Sequence, residues 1–142
     1  MADSTAHVTW NGSLLEGGGT IESVGSGVFG ALPITWKART GEESGKTTPE
    51  ELLAAAHASC YSMALSHGLA QAGNPPESLE TSAMVTFVPG TGITKIALTV
   101  RGSVPGLSES AFLEAAEEAK ENCPVSKALA AVPEITLDAA LA

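Results

Sequence analysis

One long apolar segment constrains the fold of this chain more than any other feature. Residues 52–72 contain no Asp, Glu, Lys or Arg, and strong helix signals enclose them. Thr48 is a preferred N-cap residue, Pro49 suits the first helical position, and Glu51 completes a capping box. The run Gly73-Asn74-Pro75-Pro76 ends the helix. We therefore expect a long helix that is apolar on nearly all sides.

A helix of this length has to be weighed as a membrane span, because about 20 apolar residues cross a bilayer. The segment lacks an aromatic belt and contains seven polar or thiol side chains, namely His57, Ser59, Cys60, Ser62, Ser66, His67 and Gln71. A helix that is apolar all round in a protein outside the membrane must be surrounded by protein. We therefore expect the helix to lie at the centre of the fold.

Charge and chain length limit the partners of this protein. Seven basic and sixteen acidic residues give a formal charge of −9, and the sequence pI is about 4.6. Such a chain repels nucleic-acid phosphates and anionic lipid headgroups, so we expect neither as a partner. Residues 1–10 lack the sections of a signal peptide, which favours the cytoplasm. The 142 residues fit a single domain spanning 1–142.

The remaining pattern predicts an α+β fold with mainly antiparallel sheet. Residues 7–10 alternate in polarity and precede Asn11-Gly12, a strong hairpin signal. A third strand is expected to place Ile34, Trp36 and Ala38 on one face and Thr35, Lys37 and Arg39 on the other. Further strands are expected at 81–88, 94–104 and 135–137. A helix containing Phe112 should end near Cys123, and a short helix should follow over 124–130.

Two glycine-rich stretches match nucleotide-binding motifs only in part. Residues 25–30 spell GxGxxG but lead into a strand, so no helix N-terminus would meet a pyrophosphate. Residues 41–47 read GEESGKT, with one residue too few between the glycines for a phosphate loop. Glu42 and Glu43 would also repel a nucleotide. We interpret the stretches as a turn and a charged connector, and expect no nucleotide cofactor.

The two cysteines are the strongest candidates for chemistry. Cys60 lies within the long helix, whereas Cys123 precedes Pro124 at a predicted helix start, where the amides favour a thiolate. The ordinary alternatives are a small core residue at Cys60 and a plain N-cap at Cys123. His57 could join both in a zinc site, but no CxxC pair supports one, so we expect no metal.

A cysteine and histidine pair for acyl transfer is a further alternative, since His57 and His67 share the helix face of Cys60. Neighbours on one helix face also touch without any catalytic purpose. A non-catalytic binding module with inert thiols is the remaining alternative. A buried thiolate would need a permanent cation, and the chain has only Arg39 and Arg101 to supply one.

Three segments together resemble the osmotically inducible protein C (OsmC) family, sister to the organic hydroperoxide resistance proteins. They are Thr48-Pro49-Glu50-Glu51-Leu52, Ala55-Ala56-His57-Ala58-Ser59-Cys60 and Cys123-Pro124-Val125-Ser126-Lys127-Ala128-Leu129. The resemblance covers almost the whole chain. It implies antiparallel sheets packed around a long central helix, in an intertwined homodimer.

The resemblance also implies a function and a set of site residues. It implies a thiol-dependent peroxidase without metal or cofactor, acting on organic hydroperoxides and hydrogen peroxide. Cys60 would be the peroxidatic thiol and Cys123 the resolving thiol. Arg39 and Glu50 correspond to the residues that hold the thiolate, with Arg101 as the only competitor. A lipoylated protein or a thioredoxin-like donor would reduce the disulfide.

Spacing along the long helix adds an expectation about the dimer. Glu50 and Cys60 are ten residues apart, or roughly 15 Å along the axis at about 1.5 Å per residue. Neither side chain spans that gap. If both serve one pocket, the simplest arrangement takes the glutamate from the partner's helix, across a two-fold axis.

Overall fold

The structure is a computed structural model that describes residues 1–142, with six strands and four helices. The chain divides into two compact units, residues 1–52 and 53–142. The elements are β1 (Ala6–Asn11), β2 (Gly18–Val24), β3 (Leu32–Ile34), α1 (Trp36–Arg39), α2 (Pro49–Gln71), β4 (Ser78–Val88), β5 (Gly92–Ser103), α3 (Glu109–Asn122), α4 (Pro124–Ala128) and β6 (Glu134–Leu141). The predicted α+β class is confirmed.

The first unit is built on an antiparallel sheet of order β1-β2-β3. The predicted opening hairpin forms, with Asn11 opposite Gly18. Its connection is longer than the two-residue turn that Asn-Gly favours, and Gly12 takes a positive φ of 84° at its start. All six residues of β1 are exposed in the single chain.

The predicted third strand is wrong beyond Ile34. Thr35 keeps an extended backbone, but its hydroxyl accepts a hydrogen bond from the amide of Ala38 at 3.1 Å. This is an N-cap, and it starts the single-turn helix α1 at the next residue. Arg39 therefore leaves the end of a helix rather than the polar face of a strand. The alternation of polar and apolar residues was a weaker determinant than the local cap.

Helix α2 begins and ends where the sequence predicts. The hydroxyl of Thr48 accepts from the amide of Glu51 at 3.0 Å, while the Glu51 carboxylate accepts from Thr47 instead of closing the reciprocal half of the box. At the other end Gly73 has a φ of 89°, and the Asn74 amide donates to the Leu69 carbonyl. These features form a Schellman C-cap.

A single chain buries only one stripe of α2. His57, Tyr61, Leu65 and Leu69 recur every four residues and are almost fully buried, whereas Met63 is 72% exposed. The single chain therefore leaves one apolar side of the helix uncovered. None of the helices combines the length and the apolar run that crossing a bilayer requires.

The second unit contains the main core, on a sheet of order β4-β5-β6. Strands β4 and β5 are antiparallel, and Ile96, Leu98 and Val100 of β5 face inward. Strand β6 pairs with β5 in parallel, which requires the long crossover through α3 and α4. This crossover brings α4 and its cysteine to α2.

Helix α3 lies close to the sheet because one strand residue has no side chain. A Cβ on Gly102 would lie 2.7 Å from ring carbons of Phe112, so glycine is needed where the ring packs. The hydroxyl of Tyr61 donates to the Ala116 carbonyl at 2.9 Å and fastens α2 to α3. The predicted amphipathic helix is confirmed: of the four residues at helical spacing, Phe112, Ala116 and Ala119 are buried and Ala115 is half-buried.

Candidate active site

The two cysteines meet in the second unit. Cys60 lies halfway along α2 and is partly buried, and Cys123 lies between α3 and α4 and is fully buried. Both thiols are free, and their side chains are close enough to hydrogen-bond to each other. Two thiols in contact can form a disulfide after one of them is oxidised, with no large change of the backbone.

The start of α4 also points a donor at Cys60. The backbone N–H of Val125, in the first turn of this helix, hydrogen-bonds to the Cys60 sulfur. Cys123 takes the N-cap position, yet its side chain makes no capping hydrogen bond. Cys123 is therefore the N-cap by position, as expected, but its side chain does not cap the helix. The helix start acts on the other cysteine, which the sequence placed in the middle of α2.

Burial dominates the ionisation of Cys60. It raises the pKa of the Cys60 thiol above its ordinary value, and the hydrogen bond with Cys123 raises it further. The Val125 amide lowers the pKa of Cys60 but does not outweigh burial. The second unit by itself therefore holds Cys60 as a neutral thiol at neutral pH. Activation of Cys60 requires a positive charge that this unit does not place beside it.

The first unit holds such a charge in an ion pair. Arg39 and Glu50 form a two-point contact, with Nη2 at 2.8 Å and Nε at 3.1 Å from Oε1, and Nε at 3.3 Å from Oε2. The Glu50 side chain is only 7% exposed, whereas that of Arg39 is 32% exposed. A buried carboxylate needs a paired cation, and the planar guanidinium suits two-point pairing.

Contacts around α1 fix the segment that leads from Arg39 to α2. The hydroxyl of Thr35 donates to Oε2 of Glu43 at 2.7 Å, and Lys46 pairs with the same carboxylate. The hydrogen bond from Lys46 is the main reason that the pKa of Glu43 lies below its ordinary value. These contacts therefore hold the charged connector beside α1.

Arg101, the competitor of Arg39, has a different environment. Its guanidinium pairs with Asp138 across β5 and β6 at 3.2 Å, and it also donates to the carbonyls of Val100 and Asp138. Both side chains of this pair are substantially exposed. Arg101 is therefore engaged on the surface of the sheet, and Arg39 is the better candidate for a charged partner of the thiol.

A second contact joins α2 and α4 beside the cysteines. Nε2 of the fully buried His57 lies 2.7 Å from Oγ of Ser126. Sequence reasoning considered His57 only as a metal ligand or a general base, and it missed Ser126. The available signal was spacing, because His57 and Cys60 are three apart on one helix and Cys123 and Ser126 are three apart on the other.

The remaining histidine and metal alternatives receive no support from these contacts. Cys60 is hydrogen-bonded to Val125 and Cys123, His57 to Ser126, and His67 to Gln71. No three His, Cys, Asp or Glu side chains cluster in a way that could hold a metal ion. Of the four predicted site residues, the structure pairs Cys60 with Cys123 and Arg39 with Glu50, each within its own unit.

An α+β fold with two adjacent thiols, one of them in a long helix, defines a class of thiol proteins. The chain belongs to the OsmC-like protein family, which it matches over residues 41–138. This range includes Glu50, Cys60 and Cys123 but not Arg39. The chain is 46% identical over 132 residues to peroxiredoxin OsmC of Escherichia coli (strain K12), covering 91% of this chain and 90% of that protein.

Solved structures share the fold over the whole chain. An organic hydroperoxide resistance protein, OhrB of Bacillus subtilis, matches with a TM-score of 0.65 and 25% identity, covering 97% of this chain and 98% of that one. An organic hydroperoxide resistance protein OsmC from Legionella pneumophila matches with a TM-score of 0.72 and 24% identity, covering 96% of each chain. The predicted family and fold are thereby confirmed.

Proposed function

We propose that this chain is a thiol-dependent peroxidase that reduces organic hydroperoxides and hydrogen peroxide through Cys60. The observation that carries the proposal is the contact between the Cys60 and Cys123 thiols at the start of α4. The similarity to a peroxiredoxin of the same family supports it. Such an enzyme belongs to the antioxidant defence against peroxides.

The reaction has two chemical steps in this proposal. The Cys60 thiolate attacks the nearer oxygen of the O–O bond, the bond breaks, and a proton completes the alcohol or water that leaves. Cys60 becomes a sulfenic acid and the peroxide is reduced. The Cys123 thiol then forms an S–S bond with Cys60, and the sulfenic oxygen leaves as water.

The Arg39 and Glu50 pair supplies the charge that Cys60 needs. Burial raises the pKa of Cys60, so a guanidinium beside the sulfur must offset the cost of the anion. Glu50 orients that guanidinium through its two-point contact with Arg39. The exposed third of the arginine side chain leaves it accessible to another group.

We further propose that each site combines two copies of the chain. Helix α2 is unbroken from Pro49 to Gln71, so Glu50 and Cys60 of one chain stay roughly 15 Å apart along its axis. The pair formed by Arg39 and Glu50 would then serve Cys60 of the partner. The uncovered apolar side of α2 around Met63, together with exposed β1, offers surface for a homodimer to bury.

An external dithiol closes the cycle by exchange with the disulfide between Cys60 and Cys123. A lipoylated protein and a thioredoxin-like donor both have suitable chemistry. The cytoplasm, our expected location for the protein, keeps such dithiols reduced.

Mass spectrometry after one equivalent of cumene hydroperoxide tests the proposed function. We expect the protein to lose two hydrogen atoms and to yield a peptide linking Cys60 with Cys123. A protein that keeps both thiols and alkylates slowly at neutral pH would instead be a non-catalytic binding module. In that alternative Cys60 would stay a neutral, slowly reacting thiol, which is the state that its raised pKa in the second unit favours.

Subunit mixing tests the shared site. We expect Arg39→Ala and Cys60→Ala proteins to be nearly inactive alone and to regain about a quarter of the wild-type sites after random exchange of subunits. Each mixed dimer would contain one site with all of its groups. Sites built within single chains would give no recovery, because neither chain would contain a full set.

A further inference from the structure

Two contacts, not one, join the start of α4 to α2. Cys60 and Cys123 form the first, and His57 with Ser126 forms the second at 2.7 Å. His57 and Cys60 are three residues apart on one face of α2, and Cys123, the N-cap of α4, precedes Ser126 by three residues. Since Cys60 follows His57 while Cys123 precedes Ser126, the two helices run antiparallel along these contacts. The hydrogen bond between His57 and Ser126 therefore also restrains the position of Cys123 relative to Cys60.

His57 retains an unsatisfied polar atom beside the thiols. Its Nδ1 is buried without a hydrogen-bond partner, although the side chain is fully enclosed. Such a group is destabilising, so its presence in an apolar core calls for a reason. The only polar contact of the ring is Ser126.

The ring does not act on Cys60 through charge. Burial lowers the pKa of His57, so the imidazole is neutral at neutral pH and cannot stabilise a thiolate as a cation. The hydrogen bonds of Cys60 involve Val125 and Cys123 instead. What remains for His57 is to hold α4 in place.

Helix α4 needs such a restraint because it has little of its own. It is five residues long, and the Cys123 side chain does not cap it. A helix this short is not stable by local hydrogen bonds alone. Its first turn has to present both the Val125 amide and the Cys123 thiol to Cys60, so the contact of Ser126 in the same turn controls their position.

We propose that His57 and Ser126 form a positioning pair that presents Cys123 to the oxidised Cys60, and thereby sets how often the sulfenic acid becomes a disulfide rather than a sulfinic acid. This inference rests on the proposed peroxidase function. It assigns no role to either residue in the attack on the peroxide.

The sulfenic acid of Cys60 has two competing fates. Attack by the Cys123 sulfur forms the disulfide and releases water. Reaction with a second hydroperoxide transfers another oxygen to the sulfur, gives the sulfinic acid and releases an alcohol. The first rate depends on the placement of Cys123, whereas the second depends on peroxide concentration. A looser α4 therefore raises the share of overoxidised protein at a given peroxide concentration.

The variants to compare are Ser126→Ala, His57→Leu and the conservative His57→Gln, whose amide can still hydrogen-bond to Ser126. Matched controls on the same helix are Ser62→Ala, which loses a hydrogen bond to Thr81, and His67→Leu, which loses the contact with Gln71. Stopped-flow kinetics with cumene hydroperoxide would follow attack and disulfide formation separately. Mass spectrometry would give the fraction with two added oxygen atoms.

We expect Ser126→Ala and His57→Leu to form the disulfide about tenfold more slowly, as the loss of one buried hydrogen bond allows. The peroxide concentration that overoxidises half of the protein should fall about tenfold as well, because the two fates compete. The rate of peroxide attack should fall by much less than the disulfide rate, because the Val125 amide influences the pKa of Cys60 less than burial does. His57→Gln should recover most of the disulfide rate, and both controls should resemble the wild type.

Unchanged disulfide rates and overoxidation in Ser126→Ala and His57→Leu would overturn the positioning role, even if their melting temperatures fall. A loss of peroxide attack as large as the loss of the disulfide rate would overturn it too, since the pair would then act on the attack rather than on the placement of Cys123. If His57→Leu fails to fold, Ser126→Ala decides, with His57→Gln as the conservative control. A wild-type protein that forms no disulfide would refute the peroxidase itself, and this inference with it.

Discussion

The thiol pair in the second unit and the ion pair in the first unit are built in opposite ways. Cys60 and Cys123 lie among apolar residues, burial favours the neutral thiol of Cys60, and one backbone amide donates to Cys60. Arg39 and Glu50 carry full charges and satisfy each other through three hydrogen-bond contacts. The first pair has the nucleophile without a permanent charge, and the second has the charge without a nucleophile. The proposed chemistry needs both.

Burying the ion pair of Arg39 and Glu50 costs free energy, so its presence calls for an explanation. Removing a carboxylate from water carries a penalty of several kcal/mol, and the attraction to its partner often does no more than offset it. Glu50 is nevertheless among the few buried charged residues of the chain. We therefore take the pair to be retained for recognition of another group, and the following predictions test that difference between the regions.

The largest effect should come from Cys60→Ser. A serine hydroxyl does not form the anion that attacks peroxide, so turnover should fall by at least about a thousandfold. Cys123→Ser should still allow one oxidation of Cys60 per chain before the cycle stops. Peroxide consumption over single and multiple turnovers distinguishes the two variants. Continued multiple turnover in Cys60→Ser would show that the thiol pair is not the reactive region.

The next largest effect should come from Arg39→Ala. Without the guanidinium, burial keeps the pKa of Cys60 above its ordinary value, and the thiolate fraction falls about tenfold for each unit of pKa. We expect peroxide attack at neutral pH to slow by about a hundredfold. The rate should keep rising with pH well into the alkaline range, whereas the wild-type rate should level off at lower pH.

Arg101→Ala is the matched control for that change. Its partner Asp138 is exposed, so the loss of this surface pair should change stability by no more than about 1 kcal/mol. Peroxide attack and its pH profile should be unaffected. If Arg101→Ala slowed attack and Arg39→Ala did not, the roles of the two arginines would have to be exchanged.

Glu50→Gln should have an intermediate effect. The amide keeps the shape but removes the charge that orients Arg39, so we expect attack to slow about tenfold. The free energy of unfolding should fall by about 1–3 kcal/mol, because Arg39 loses a charged partner. Kinetics and urea unfolding measure the two effects. Glu51→Gln, at the exposed neighbouring position, is the control and should change neither the rate of attack nor the free energy of unfolding by much. Equal effects of the two substitutions would argue against a special role of Glu50.

The smallest effect should come from Thr48→Ala. The change removes the hydroxyl that caps α2 and should lower the free energy of unfolding by about 1 kcal/mol. Disulfide formation between Cys60 and Cys123 should stay unchanged, because the thiols lie far from that end of the helix. Denaturant unfolding and single-turnover kinetics together check this prediction. A slower disulfide step would mean that the two regions are coupled through α2.

Local signals predicted most of the elements. Thr48 with Pro49 and Gly73 with Asn74 mark the ends of α2 because their side chains and backbone preferences act within a few residues. The third strand was predicted wrongly past Ile34 because a local signal, a helix cap, was again decisive there. The cap formed by Thr35 decides the next turn, and a polar and apolar alternation over six residues cannot show it.

Contacts between distant segments could not be predicted in this way. Nothing in the run from Cys123 to Ser126 indicates that the Val125 amide reaches Cys60, or that Ser126 reaches His57. The parallel pairing of β6 with β5 is likewise a property of the crossover rather than of either strand sequence. Pairing of Arg39 with Glu50 was expected from the family resemblance and not from composition or spacing.

The sequence by itself determined the elements, the candidate residues and the family, because caps, turns and motifs are encoded over short stretches. Only the tertiary structure decided which atoms meet. It placed the first turn of α4 against the middle of α2. There the neutral Cys60 thiol and the buried His57 lie on one face of α2, and the Val125 amide of α4 donates to the thiol. The physical reason is that burial and hydrogen bonding depend on how the core packs, and packing is set by the whole chain at once.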